Sequence, residues 1–126
     1  MPAQTLGREQ RLRRQSDFQA LRERGISRAH PLLVLRAAPN GLPYARFGFV
    51  VGRRVALGAV VRNRTRRRMR EIARRTPVRT DWDMLFIARR AAVQAPFVEL
   101  REAMTQLERR AGLLDETVEQ PGGTEE

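Results

Sequence analysis

Residues 59–75 read A-V-V-R-N-R-T-R-R-R-M-R-E-I-A-R-R, and this stretch decides the fold more than any other part of the sequence. Apolar or small side chains recur along it every three or four residues: Val61, Thr65, Met69 and Ile72. This spacing places them on one stripe of an α-helix that begins near Gly58. Because Pro77 follows directly after Thr76, we expect the helix to end at that point.

Arginine dominates the rest of this helix. Eight of the fourteen residues from 62 to 75 are arginine, and Glu71 is the one acid among them. Like charges three or four positions apart, such as Arg62 and Arg66, destabilise an isolated helix by a few tenths of a kcal/mol per pair. A polyanion offsets this repulsion, and planar guanidinium groups match phosphate well. The helix therefore predicts binding to a nucleic-acid backbone, with a merely solvated basic face as the alternative.

The composition of the whole chain points to the same class of partner. The 126 residues include 25 arginines and no lysine, with a formal net charge of +11 and a pI near 11.8. A GC-rich genome favours arginine codons and is an alternative reason for the missing lysine, but it does not explain the charge excess. Such a field concentrates polyanions, so nucleic acid is the predicted partner.

Before the arginine-rich helix, the pattern predicts one helix and two strands. Ser16-Asp17-Phe18-Gln19 has the form of a capping box, which predicts a first helix to residue 24 that Gly25 ends. Residues 32–37 and 46–51 alternate like strands around the turn at 39–41, which predicts a β-hairpin.

After that helix, residues 84–88 form a continuous apolar run, typical of a strand buried on both faces. Pro96 then opens a last helix, which Gly112 ends. The phenylalanines predicted to lie in the core are Phe47, Phe49, Phe86 and Phe97. The order helix, strand, strand, helix, strand, helix predicts a single-domain α+β fold, a two-layer sandwich of helices on a small mixed sheet.

The chain divides into three predicted zones. Residues 1–10 are expected to be a flexible basic segment, residues 11–112 an RNA-binding domain, and residues 113–126 an acidic disordered tail. The sequence has no cysteine, no secretory signal pattern and no apolar run of the ~18 residues that cross a membrane. We therefore expect a cytoplasmic location.

The sequence offers little for catalysis by protein side chains. A protein nuclease needs clustered carboxylates for magnesium, or a base and nucleophile pair. Asp81 and Asp83 are the only close acidic pair before the tail, and capping of a turn explains them. His30 is the only histidine, and a place in a solvated loop explains it. We therefore predict no catalytic residue and no metal ligand in the chain itself.

The arginine-rich stretch resembles a known signature. Residues 59–71 are similar to the RNR helix of the bacterial ribonuclease P protein family, whose pattern is A-V-x-R-N-R-x-K/R-R-x-x-R-E. Three further segments support the resemblance, which covers about residues 11 to 110: Arg11 to Phe18, Phe47 to Arg54, and Met84 to Arg89.

This resemblance implies a fold and a function. The fold is similar to the second domain of ribosomal protein S5, with a left-handed crossover between parallel strands. The implied function is that of the protein subunit of ribonuclease P, a cytoplasmic ribonucleoprotein endonuclease that removes the 5′ leader from precursor tRNA. The catalytic RNA and precursor tRNA are the implied partners. The RNA performs the chemistry and needs magnesium, while the protein binds no cofactor. As a default, we expect that the protein needs no protein partner and pairs as a monomer with one RNA.

The resemblance also implies two sets of binding residues. Those expected to contact the catalytic RNA are Arg62, Asn63, Arg64, Arg66, Arg67, Arg68 and Arg70. Those expected to contact the single-stranded leader, in a cleft between the first helix and the sheet, are Phe18, Arg22, Val34, Arg36, Arg53, Arg54 and Arg89.

Two of these positions depart from the family pattern. Arg22 stands where the family has a second aromatic on the first helix, and Arg36 stands where it has an aromatic on the first strand. Guanidinium planes also stack on unpaired bases, so we expect the cleft to keep its role. Phe18 alone fits a core anchor equally well. The alternative function for the whole chain is a non-catalytic, structural RNA binder of the ribosomal-protein type.

Overall fold

A computed structural model describes residues 10–115. The elements are α1 (Gln15–Arg24), β1 (Ile26–Ala29), β2 (Leu33–Pro39), β3 (Arg46–Val50), α2 (Ala59–Arg75), β4 (Trp82–Ala88), α3 (Arg90–Gln94) and α4 (Phe97–Arg110). The predicted α+β class and mixed sheet are confirmed. The structure adds the short strand β1 and the one-turn helix α3, which the sequence analysis did not predict. Within the described residues, no helix is long and apolar enough to span a membrane.

The four strands form one sheet in the order β1-β2-β4-β3. β2 pairs antiparallel with β1 and β4, whereas β3 pairs parallel with β4. The predicted hairpin between β2 and β3 is therefore wrong, because β4 lies between them. Asn40 shows why: its N–H donates to the Asp81 carbonyl at 3.0 Å and its Nδ2 donates to Asp83 at 2.9 Å. The connection after β2 is thus fastened to the start of β4.

β4 is one of the two inner strands of the sheet and is buried on both faces, as its apolar run predicted. Met84 and Phe86 are fully buried on one face, and Leu85 is 8% exposed on the other. A strand with neighbours at both edges and packing on both faces favours apolar side chains, and the one charged residue of β4, Asp83, is paired with Arg46. The parallel pair β3 and β4 is joined through α2, and the left-handed course of that crossover remains a prediction.

The helices pack on both faces of the sheet. Met69 and Ile72 of α2, with Leu100 and Met104 of α4, join the main core against one face. α1 covers part of the opposite face, where Leu21 joins a second, smaller cluster. This arrangement leaves the rest of the second face uncovered by any helix of the part that the structure describes.

The first helix begins one residue earlier than predicted and uses a different cap. Arg14 is its N-cap, and the Arg14 N–H donates to the Asp17 carboxylate at 3.3 Å. The predicted box from Ser16 to Gln19 is therefore wrong. Gly25 does follow the helix, as predicted. The position requires glycine because a Cβ there would lie 2.2 Å from the Leu21 carbonyl oxygen.

Two predictions about the last helix need correction. Phe97 is 39% exposed and lines a groove between α2 and α4 instead of the core. The acidic tail was predicted to begin at residue 113, but Leu113 and Leu114 are buried against the main core. Leu114 forms a β-bridge with Val78, so the ordered domain extends to Asp115. The remaining tail residues, and residues 1–9 of the predicted basic segment, lie outside the described residues.

Candidate nucleic-acid interface

α2 presents a buried stripe to the core and an arginine-rich surface to its surroundings. Thr65, Met69 and Ile72 are buried on the inner stripe, as the spacing predicted, and Ala73 is buried beside them, whereas the predicted Val61 is only half-buried. Arg64, Arg67 and Arg70 are exposed on the outer surface. The helical repeat therefore separates packing from charge on the two sides of one element.

Some α2 arginines are occupied by contacts within the protein. The Arg62 Nη1 donates to the carbonyls of Ala56 at 2.9 Å and Leu57 at 2.6 Å, which fixes the loop before the helix. The Arg68 Nη2 donates to the Ala95 carbonyl and joins α2 to the loop before α4. These two guanidinium groups therefore hold the loop before α2 and the loop before α4 in place.

Other α2 residues face solvent with their charge available. Arg64 and Arg67 have no hydrogen-bond or ion-pair partner among residues 10–115. Asn63 is exposed and accepts a hydrogen bond from Arg66 Nη2, which sets the direction of that guanidinium. The outer surface of α2 therefore carries free cations near its first half.

Arg70 of α2 contacts β3 and is close enough to Arg11, before α1, to be repelled by it. Its guanidinium carbon lies 5.9 Å from the ring centre of Phe49, within the range of a cation–π contact. Partial burial lowers the pKa of Arg70, and repulsion from Arg11 and Arg66 lowers it further. Three guanidinium groups therefore share one region, where their mutual repulsion favours an incoming anion.

Glu71 is neutralised by its own helix. It accepts hydrogen bonds from Arg74 at 2.8 and 3.1 Å and from Arg75. The hydrogen bond from Arg74, and then that from Arg75, lowers the pKa of Glu71 to about 2. The one acid in α2 thus offsets arginines at its end and leaves those of the first half unpaired.

A row of apolar side chains crosses the sheet face that α2 and α4 leave free. In register across β1, β2, β4 and β3, the apolar row consists of Ala29, Val34, Ile87 and Val50. Its members alternate along each strand with core residues, so they point away from the main core. Val50 is 38% exposed, and Ala29 is also exposed. The predicted site residue Val34 thus lies in the middle of an accessible apolar surface.

Arg36 and Arg22 lie beside this row. Arg36 follows Val34 by two positions on β2 and therefore shares its face. Its Nη2 donates to the Arg22 carbonyl at 3.5 Å, which places the end of α1 next to β2. The Arg36 Nε is buried and has no hydrogen-bond partner in the described part of the chain. A buried donor without a partner is costly to the folded state.

Phe18 stands at the border between core and surface. It is half-buried and packs on the small cluster that contains Leu21 and Leu85. Ile87 of the apolar row packs against the same cluster. One part of the ring therefore anchors α1, while the other part is exposed to solvent beside the sheet face that carries the apolar row, which we call the open face.

Four arginines gather at one edge of the sheet. β3 and β4 are parallel, so the residues after Val50 and after Ala88 emerge at the same edge. Arg90 Nη2 donates to the Arg54 carbonyl at 3.1 Å, which confirms that the two segments meet there. The exposed arginines at this edge are Arg53, Arg54, Arg89 and Arg90.

The sequence analysis missed several of these positions. Val50 and Ile87 could have been found from strand alternation. Each lies two positions after Gly48 or Leu85 and therefore points to the same face, away from the main core. Arg90 is adjacent to the predicted Arg89. Arg11 had no local signal, because its bridge to Phe47 is a tertiary contact.

The carboxylates of Asp83 and Asp17 are engaged in an ion-pair network with Arg46. Asp83 is 5% exposed and accepts two hydrogen bonds from Arg46, each 2.8 Å, and one from Asn40. Asp17 reaches the same guanidinium at 3.2 Å. The hydrogen bond to Asp83 raises the pKa of Arg46. Asp83 is therefore the centre of an ion-pair network. The prediction that it simply caps a turn is wrong.

No set of three metal-ligating side chains comes together between residues 10 and 115. His30 closes its own turn, because its Nδ1 accepts a hydrogen bond from the Leu32 N–H at 3.0 Å. The interface is thus built from cations, apolar surface and unpaired donors.

Comparison with known proteins identifies the family. Residues 6–112 match the family model described as Ribonuclease P. The ribonuclease P protein component of Chloroflexus aurantiacus (strain ATCC 29366 / DSM 635 / J-10-fl) is 44% identical over 110 residues, which cover 85% of this chain and 81% of that protein. That of Roseiflexus castenholzii is 40% identical over 114 residues, which cover 88% and 93%. The solved ribonuclease P protein of Thermotoga maritima superposes with a TM-score of 0.72 at 31% identity, covering 79% of this chain and 96% of that one. The chain therefore belongs to the ribonuclease P protein family.

Proposed function

We propose that this chain is the protein subunit of ribonuclease P and acts with a catalytic RNA to remove the 5′ leader of precursor tRNA. The observation that carries the proposal is the presence of two distinct surfaces suited to RNA. One is the free arginine surface of α2, and the other is the apolar row with arginines at both sides. A phosphate backbone suits the first surface, and unpaired bases suit the second.

The α2 surface binds the phosphate backbone of the RNA subunit. Arg64, Arg67 and Arg70 are the phosphate ligands, because their guanidinium groups are exposed. Arg62 and Arg68 contribute by fixing the loops around the helix, since their donors already hold backbone carbonyls. This division refines the expectation that the RNA subunit is contacted by all of Arg62, Asn63, Arg64, Arg66, Arg67, Arg68 and Arg70.

The leader lies across the open sheet face. Val34 and Ile87 give an apolar floor for an unpaired base, and the guanidinium of Arg36 lies on the same face beside it. The arginines after β3 and β4 meet the phosphates at the edge of the sheet. Base stacking is worth about 1 to 3 kcal/mol per base by alanine substitution, so a few such contacts distinguish a substrate that carries a leader from mature tRNA.

The reaction itself belongs to the RNA. Asp17 and Asp83 are held by Arg46, so these carboxylates are engaged and do not form a magnesium site. We place the magnesium ions on the RNA, where phosphate oxygens supply hard ligands. The protein lowers repulsion between two polyanions and holds the leader. One protein molecule per RNA, without a further protein partner and in the cytoplasm, completes the proposal.

Reconstitution tests this function directly. Adding the purified protein to ribonuclease P RNA at limiting magnesium is expected to restore 5′ processing of precursor tRNA, because arginines then replace metal ions in screening phosphate repulsion. Cleavage is followed by the release of the labelled leader. A structural binder of the ribosomal type leaves the rate unchanged, and cleavage by the protein freed of all RNA contradicts the division of roles.

Arg36 and Arg22 provide a sharper test of the leader site. Arg36→Ala removes a guanidinium from the open face and is expected to weaken binding of leader-bearing substrate roughly tenfold, the size of one stacking contact. Arg22→Ala acts in the same direction. Affinity of the reconstituted holoenzyme for mature tRNA, measured in parallel, should not change. Equal losses for both ligands would remove these arginines from the leader site.

A further inference from the structure

A groove runs between α2 and α4 and is separate from both surfaces described above. It encloses about 910 Å³. Ile72 of α2 and the exposed ring of Phe97 give it an apolar part. Arg75 from α2, with Arg101 and Arg109 from α4, gives it a cationic part. A groove of this kind suits an extended peptide that carries acidic side chains and an apolar one.

The charges of the groove are only partly balanced by the protein itself. Glu71, one of its two acids, is already paired with Arg74 and Arg75. The second acid, Glu102, is exposed. Between residues 10 and 115, neither Arg101 nor Arg109 has an ion-pair partner. These two guanidinium groups therefore remain available for an anionic segment.

The chain leaves the described structure beside this groove. The Asp115 N–H donates to the Pro77 carbonyl at 3.1 Å, and Leu114 bridges to Val78. Pro77 directly follows Thr76, which lines the groove at the end of α2. Asp115, the last residue that the structure describes, therefore lies close to the end of the groove that Thr76 lines.

We propose that residues 116–126, the acidic segment, occupy the groove between α2 and α4. The segment contains four glutamates and no arginine, so its charge is opposite to that of Arg101 and Arg109. Val118 provides one apolar side chain for the exposed side chain of Phe97. The contact lies within the chain and does not depend on the proposed function.

Length and tethering favour this contact. Eleven extended residues reach about 36 Å, while the part of α4 from Phe97 to Arg109 is about 18 Å long. A tethered segment meets its groove at an effective concentration in the millimolar range, roughly, so weak ion pairs are sufficient. The outer arginines of α2, such as Arg64, lie in the first half of the helix, whereas Asp115 is bonded to Pro77 just after its end. Tethering and charge together favour the groove.

The absence of cysteine makes a direct test possible. A nitroxide spin label attached to the Thr124→Cys variant broadens NMR signals of nearby amides in the full chain. We expect signal loss at Arg101 and Gln106 at low salt. Replacing the four glutamates of the segment with glutamine should restore these signals, and so should high salt, because screening weakens exposed ion pairs.

Adjacent arginines on α4 supply a matched control. Arg109→Gln removes a cation that lines the groove and is expected to reduce the broadening. Arg110→Gln removes an equal charge from a side chain that donates to the Ala29 carbonyl, away from the groove, and should leave the broadening unchanged. Broadening that survives the glutamine segment, that moves to the amides around Arg64 and Arg67, or that is absent would overturn the proposal.

Discussion

Replacing Arg64, Arg67 and Arg70 together with glutamine is expected to weaken binding of ribonuclease P RNA roughly a hundredfold at about 0.15 M salt. Each phosphate contact releases counterions, so the plot of log affinity against log salt should become shallower by about two to three units. The three side chains are exposed, and glutamine keeps most of their length and the helix propensity. Filter binding or fluorescence anisotropy across a salt series measures both quantities.

The matched control removes the same charge from a different place. Arg28, Arg79 and Arg110 lie on β1, after α2 and on α4, and their replacement by glutamine gives an identical net charge. We expect this variant to keep most of the salt dependence. If the two triple variants lose the same affinity and slope, the positive charge of the whole chain, and not the α2 surface, explains the binding.

Replacing Glu108 with methionine is expected to raise the free energy of unfolding by about 3 kcal/mol at pH 7. Glu108 is fully buried, and neither carboxyl oxygen has a hydrogen-bond partner in the described residues. Burial raises the pKa of Glu108 from an ordinary value of 4.5 to about 8. The folded protein therefore holds the group protonated at neutral pH, whereas the unfolded chain releases the proton.

The sign of the pH dependence follows from this difference. Between pH 4.5 and about 8 the folded state binds a proton that the unfolded state does not, so stability falls as the pH rises. Glu108→Met should flatten this part of the profile in urea titrations at several pH values. Glu102 is exposed on the same helix, and Glu102→Met should change neither the slope nor the midpoint. A profile of the Glu108 variant parallel to that of the original chain would contradict the assignment.

Local patterns were sufficient to predict the helices that matter for function. The stripe of Thr65, Met69 and Ile72 predicted both the extent of α2 and its inner side, because a helical repeat is a local property. The positive φ of 73° at Gly112 likewise confirmed the end of the last helix. The charge asymmetry of α2 was visible in the sequence for the same reason.

Strand pairing could not be predicted in this way. The turn residues from Pro39 to Gly41 indicated a hairpin, yet the bonds from Asn40 to Asp81 and Asp83 join residues far apart in the chain. The short strand β1 has little apolar character and exists because β2 offers it an edge. Leu113 and Leu114 were assigned to the acidic tail because their burial depends on tertiary contacts with the main core, which the local sequence does not show.

The site shows the same division between local and tertiary information. Charge density alone indicated the strongly cationic helix, but it did not show that Arg62 and Arg68 hold backbone carbonyls. Likewise, the apolar row arises only when Val34, Ile87 and Val50 from three strands come into register. Side-chain identity therefore predicts the kind of partner, while topology determines which side chains are available to it.

The position of β4 also has a consequence for how the protein forms. The strand that joins the two halves of the sheet is the last of the four to be synthesised, after the whole of α2. Until residues 82–88 emerge, β2 and β3 have no shared neighbour, and the nascent chain exposes an unpaired edge next to a strongly cationic helix. Because such long-range pairing is slow, we expect folding to be limited by the insertion of this central strand.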